Sequence, residues 1–204
     1  AAVDRLPALP VVDFFRCKPG QPEHFFGTDG NGRDLFSRVL YGSRVSLKAG
    51  IYTVFLAVIV GMLLGAIAGY IGAWVDNGIM RILDVVLAFP SLILAIAINS
   101  ALLKLADDSF LSRGLNIMQR AFGFEDIGLL TALISIAIVS IPTYARLVRA
   151  QVLSLKEQEF VTAALAIGAP SSRILFRAIL PNATAPLIVA ATLGVATAIL
   201  DTAA

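Results

Sequence analysis

The chain has 204 residues, 58% of them hydrophobic and 15% charged, with a mean hydropathy of +0.85. A soluble domain carries about 25% charged residues, so this composition excludes the ordinary soluble classes and points to a bilayer. A formal charge of +2 provides no basic stripe for nucleic acid, and the single cysteine, Cys17, excludes an intrachain disulfide framework and a multi-cysteine metal site.

Residues 1–48 are mixed and polar, with prolines at Pro7, Pro10, Pro19 and Pro22 and turn chemistry at Asp29-Gly30-Asn31-Gly32. From Asp34 to Gly50, apolar residues recur at helical spacing among Arg38, Arg44 and Lys48. That pattern predicts an interfacial helix leading into a spanning one, so 1–48 reads as an external segment and 49–204 as a transmembrane domain. The first span is Ala49 to Ile71, which is uncharged and long enough for a hydrocarbon core that needs roughly 20 apolar residues. Gly61, Gly65 and Gly69 recur every four residues, with Ala57 and Ala68 nearby. They form a small-residue face on which another helix can pack closely, although glycine is also simply common in membrane helices.

Trp74, Asp76 and Asn77 mark a short loop, and Trp74 and Tyr70 suit the membrane interface. The second span runs over 79–103. Arg81 and Asp84, three residues apart, can pair on one helix face. Pro90 lacks an amide hydrogen and is expected to kink or interrupt the helix; such kinks occur both in gating helices and in helices that gate nothing. Residues 104–126 are polar around a weakly amphipathic stretch. The third span covers 127–147, with Pro142 near its end as a second candidate kink. Pro170 and Pro181 mark breaks, and a fourth span covers 183–200. The expected fold is all-α, a polytopic transmembrane helical protein.

The stretch from Tyr144 to Asn182 holds five basic residues against two acidic ones, and 104–126 holds three against four. The excess of Lys and Arg places 144–182 and the short 72–78 turn in the cytoplasm, with 104–126 and the N-terminal region outside. The N-terminal region, with seven basic residues against five acidic, does not add to this. Between the last two spans, 156–181 reads KEQEFVTAALAIGAPSSRILFRAILP. It is too polar at its start to span and too regular for a loose loop. Alanines favour a helix up to Gly168-Ala169-Pro170, and Ser171-Ser172 can cap a second one carrying Ile174, Leu175, Ile179 and Leu180. The result is a helix–turn–helix elbow exposing small and apolar residues. It fits a protein partner, or it lies along the membrane surface.

Two motifs, HFFGTDGNGRDLFSRVLYGSRVSL (His24 to Leu47) and EFVTAALAIGAPSSRILFRAILPN (Glu159 to Asn182), resemble those of inner-membrane permease subunits of ABC importers for dipeptides, oligopeptides and, in related systems, nickel. The second matches the cytoplasmic signature loop of binding-protein-dependent permeases. Its alanines fall on Ala163 and Ala164, its glycine on Gly168, and its Leu-Pro on Leu180 and Pro181. Thr162 stands where the broader family often has glutamate, a departure usual in the peptide branch. The resemblance implies a type I importer (MetI-like) core in the bacterial inner membrane. It also implies a second homologous permease subunit, two ATP-binding cassette ATPase subunits that bind ATP and magnesium, and an extracytoplasmic substrate-binding protein. This chain itself would bind no cofactor. Glu159, Phe160, Ala163, Ala164, Gly168, Ala169, Arg173, Leu180 and Pro181 would couple to an ATPase. Gly27, Thr28, Asp29, Gly32, Arg33, Asp34 and Arg38 would form an external gate-side turn, with Asp29 or Asp34 pairing to Arg33 or Arg38. Family members usually have a further span before this turn and another at the C-terminus. The sequence is therefore expected to cover part of a longer subunit, with a short variant as the alternative.

His24, the only histidine, sits beside Phe25 and Phe26 and reads as structural rather than as a metal ligand. The Gly27–Asp34 turn lacks the Gly-Lys-Ser/Thr end of a phosphate loop. No mid-membrane ionisable residue suggests a proton relay, which disfavours a proton-coupled carrier, and no nucleophile–base set suggests an enzyme. The leading function is peptide import. Import of nickel or another small solute by the same architecture, and a non-transporting membrane scaffold, are the alternatives.

Overall fold

The computed structural model describes residue 26 and residues 34–105, 109–123 and 126–203. The predicted turn residues Gly27, Thr28, Asp29, Gly32 and Arg33, and with them His24 and Cys17, lie outside this set. The chain divides into two compact units, Ala1–Lys48 and Ala49–Ala204.

Helix α1 spans Leu35–Ile71 as one continuous helix of 37 residues. The expected interfacial helix and first span are thus a single element, since no proline interrupts the stretch. Its start is fixed by Asp34, whose carboxylate accepts from the Ser37 amide at 3.0 Å and from the Ser37 hydroxyl at 2.5 Å. In the first unit, the Phe26 and Phe36 rings lie 5.6 Å apart between centroids.

In the second unit, Gly72 (φ +71°) turns the chain into α2, Ala73–Leu87. Helix α3, Ser91–Leu105, follows at an angle of 96°. The break falls at Phe89-Pro90, where proline cannot donate the amide hydrogen that would continue α2. The second span is therefore a bent pair rather than one straight helix. Helix α4, Ser109–Phe122, buries Leu115. Helix α5, Ile127–Lys156, begins at Asp126, whose side chain accepts from the Gly128 amide at 2.9 Å, and runs unbroken through buried Pro142. It continues nine residues past the expected end at Leu147.

Helix α5 is the hub, packing against α2, α3, α4 and the last helix. The glycine stripe of α1 lies directly on it. A Cβ added to Gly61 would come within 3.0 Å of the Ile141 carbonyl, one on Gly65 would run into the Ala145 carbonyl, and one on Gly69 would meet Val152 at 3.0 Å. The ascending partners show that α1 and α5 run parallel at backbone contact, as small residues allow. Ala145, Val148 and Val152 are fully buried in this seam. Two buried hydroxyls of α5 are satisfied locally, Ser135 donating to the Thr131 carbonyl at 2.7 Å and Thr131 to that of Gly128 at 3.0 Å, whereas the buried Thr53 hydroxyl of α1 has no partner among the described residues.

Among the described residues, three helices are long and apolar enough to cross a membrane: 35–71, 127–156 and 171–202. Counting the bent pair as one span gives up to four. Large apolar side chains remain exposed along them, among them Phe55, Ile93, Val189 and Leu193. Only lipid or a neighbouring subunit makes such exposure tolerable.

Candidate functional site

The region after α5 is an elbow built from short-range hydrogen bonds. Helix α6, Glu159–Ala166, is eight residues long. Its end is closed by two reversed bonds, Ala169 amide to Ala164 carbonyl and Gly168 amide to Leu165 carbonyl, each 3.0 Å. This is the Schellman arrangement, and it requires the left-handed conformation found at Gly168 (φ +76°). Pro170 leaves in an extended conformation and its carbonyl accepts from the amides of Arg173 and Ile174, opening a single turn, α7, at Ser171–Arg173.

Beyond α7 the sequence and the structure part. A break is expected at Pro181, but the chain continues through a π-helical stretch, Ile174–Ile179, into α8, Leu180–Ala203. Pro181 has no amide hydrogen for the carbonyl one turn back. The wider π-turn just before it shifts the bonding register so that the helix need not stop. Asn182 adds a side-chain bond to the Ala178 carbonyl at 2.7 Å. The fourth span is correspondingly longer than 183–200.

The elbow is sided. Val161, Ile174, Leu175, Ile179 and Leu180 are buried, in one cluster with Val148 and Val152 of α5. Ile174, Leu175, Ile179 and Leu180, the apolar positions predicted for the second short helix, are therefore the anchor and not part of the elbow's exposed face. The exposed apolar residues are Phe160, Leu165, Ile167 and Phe176. Of the predicted contact residues, Glu159, Phe160, Ala163, Gly168, Arg173 and Pro181 are exposed, Ala164 and Ala169 are half-buried, and Leu180 is buried. Leu165, Ile167 and Phe176 are exposed apolar residues of the elbow that lie outside the predicted set. Helical spacing offered no signal for Leu165, which follows Val161 by four residues and so shares its side of α6, yet is exposed.

The elbow lies at the end of the bundle shared by α1 and α2. The Lys156 ammonium donates to the Tyr70 carbonyl at 2.8 Å and sits 5.5 Å from the centre of the Tyr70 ring. Arg149 forms a two-pronged pair with Asp76 at 2.5 Å, and Arg146 pairs with Asp84 at 2.5 Å. The expected local pair of Asp84 with Arg81 is replaced by this longer-range one, because the guanidinium of α5 reaches the carboxylate as α2 crosses it. In the first unit, Asp34 caps α1, and Arg38 sits one turn along with its amide bonded to the Asp34 carbonyl at 3.3 Å. No cluster of three or more His, Cys, Asp or Glu side chains able to hold a metal occurs among the described residues.

Residues 61–204 match the model of a family described as "Binding-protein-dependent transport system inner membrane component". Curated relatives include the "Dipeptide transport system permease protein DppC" of Alkalihalophilus pseudofirmus, 49% identical over 89% of this chain and 52% of that protein. The "Di/tripeptide transport system permease protein DppC" of Pseudomonas aeruginosa is 42% identical over 91% and 54%. The "Glutathione transport system permease protein GsiD" of Escherichia coli is 41% identical over 89% and 52%. The chain spans about half the length of the curated relatives it matches. With this match, its long apolar helices and its all-α architecture, the chain belongs to the binding-protein-dependent transport system inner membrane components, as a multi-pass protein of the bacterial inner membrane.

Proposed function

We propose that this chain serves as a permease subunit of an ATP-driven importer of dipeptides or oligopeptides. It forms half of a translocation path with a second homologous permease subunit, and an extracytoplasmic binding protein delivers the cargo. Two ATPase subunits carry ATP and magnesium and dock on the elbow 159–181 from the cytoplasm. The observation that carries this reading is the sidedness of the elbow. Its buried anchor ties it to α5, while Phe160, Ala163, Leu165 and Ile167 face outward from a rigid turn closed at Gly168. A movement imposed on that outer face is passed to α5 through Val161 and Ile174, and α5 touches every other helix of the bundle. The relatives' cargo names, dipeptide, di/tripeptide and glutathione, all describe short peptides and support the choice of substrate class.

The test is cysteine crosslinking from Ala163 and Ile167 in the full-length subunit assembled with its ATPases. Crosslinks to an ATPase that change in yield with ATP are expected. Their absence in a folded, membrane-inserted complex overturns the coupling role and leaves the scaffold reading.

A further inference from the structure

The bent pair α2–α3, the middle of α5 and the end of α8 enclose a cavity of about 330 Å³. This is within the size range of small-ligand sites. Its walls are largely apolar, with Leu87, Leu92 and Ile136 among them. The polar side chains are Ser91, Asn99, Ser140, Thr143, Asp201 and Thr202. The Ser140 hydroxyl donates to the Ile136 carbonyl at 2.8 Å and that of Thr202 to the Ile199 carbonyl at 2.9 Å, while Ser91 and Thr143 are exposed. Two acceptors remain. The Asn99 carbonyl oxygen Oδ1 is shut off from solvent and accepts from nothing among the described residues. Asp201, on the other wall, makes no ion pair or hydrogen bond through its carboxylate among the described residues. Among the described residues, no Lys, Arg or His lines the cavity.

A concave site with apolar walls, one anionic acceptor and one sealed neutral acceptor is complementary to a compact cation with several donors. A buried acceptor without a donor is unfavourable, and Asp201, although solvent-exposed, places a negative charge at the mouth of the same concavity, which favours a cation over an anion. An ammonium group meets both demands, since its three N–H bonds can be shared between a carboxylate and an amide oxygen. A carboxylate would be repelled by Asp201. Resting on the peptide-importer reading above, we propose that this cavity is a transit site for the α-ammonium of the peptide cargo, with Asp201 as its counter-ion and Asn99 as its second acceptor. The peptide would occupy it amino terminus first.

The test uses the full-length subunit assembled with its partner permease and ATPases. The complex is placed in nanodiscs of phosphatidylglycerol, a lipid without an amine, and the binding protein is omitted so that its own selectivity does not intervene. Binding of dialanine and of N-acetyl-dialanine is measured by calorimetry. The wild-type complex should bind the free-amine peptide about two- to fivefold more tightly, the scale of a solvent-exposed charge pair. Asp201→Asn should remove the preference, Asp201→Glu should keep it, and Asn99→Leu should weaken it. Equal binding of the two peptides by the wild-type complex, a comparison that needs no variant, overturns the site. So does an unchanged preference in Asp201→Asn. Uptake of labelled dialanine with the binding protein restored separates the two readings. Uptake without an amine preference in binding leaves the importer reading standing and removes the site, whereas no uptake by the wild-type complex removes both.

Discussion

The two sides of α5 are built on opposite principles. Toward α1, Ala145, Val148 and Val152 are fully buried and meet glycines at backbone contact. One position along from each of the first two, Arg146 and Arg149 reach the other way, to carboxylates of α2. Above them Ser140 and Thr143 line a cavity. The first side is dry and depends on shape, so it holds α1 and α5 as one body. The second joins α2 through charge pairs and, with α3, borders a cavity. The permease role proposed above would draw on both properties, a fixed seam and a charged contact beside a cavity, on adjacent faces of one helix.

The largest effect should follow from breaking the dry side. Gly65→Leu places a side chain where the Ala145 carbonyl now sits, and the obstacle is backbone rather than a flexible side chain. A loss of more than about 3 kcal/mol is expected, read as a large drop in thermal stability of the purified complex and in its yield from membranes. A change below about 1 kcal/mol would mean that α1 and α5 do not meet there.

Next in size is Arg149→Ala on the polar side. The Asp76 side chain is only 13% exposed and the Arg149 fork occupies both of its oxygens. Truncation strands a largely buried carboxylate, and the expected cost is about 2 kcal/mol, with little dependence on salt because the pair is poorly solvated. Arg149→Lys should recover only part, since an ammonium cannot reproduce the two-pronged geometry. Full recovery by lysine would reduce the contact to a simple point charge.

The two sides were not equally legible in the sequence. A four-residue glycine period is a local pattern, and what it implies, a close-packed helix, is local as well. Pro90 is legible for the same reason, because a missing amide hydrogen acts where it stands. The partners of Asp76 and Asp84 lie 73 and 62 residues away, and no spacing rule points to them. The i,i+3 pairing of Arg81 with Asp84 was sound for an isolated helix, and tertiary packing overrode it. Pro181 failed as a stop for a related reason: whether a proline ends a helix depends on whether the preceding turn can widen, and the π-turn at 174–179 does so while Ile174, Leu175 and Ile179 stay buried. The elbow was visible as a whole, but its inside and outside were not. Four apolar residues in a row of short helices do not say which face meets α5. Asn99 and Asp201 stand out only once α3, α5 and α8 are brought together.

The smallest effect concerns the outer pair, and it tests the substitution of partners directly. Asp84 and Arg146 are about half exposed, at 55% and 50% of their side chains. A pair so well solvated contributes about 0.5 kcal/mol or less. Asp84→Asn should therefore lower stability only slightly, and the difference should vanish in high salt, where exposed charges are screened. The informative measurement is a double-mutant cycle. If Asp84 acts through Arg146, Arg146→Ala should remove the effect of Asp84→Asn while Arg81→Ala leaves it intact. The reverse pattern would return Asp84 to its neighbour on α2 and take away one of the two charge contacts that hold that helix to α5. The cycle thus decides whether α2 is tied along its length or only near its start, at Asp76, and so how much of the bent pair is free to move.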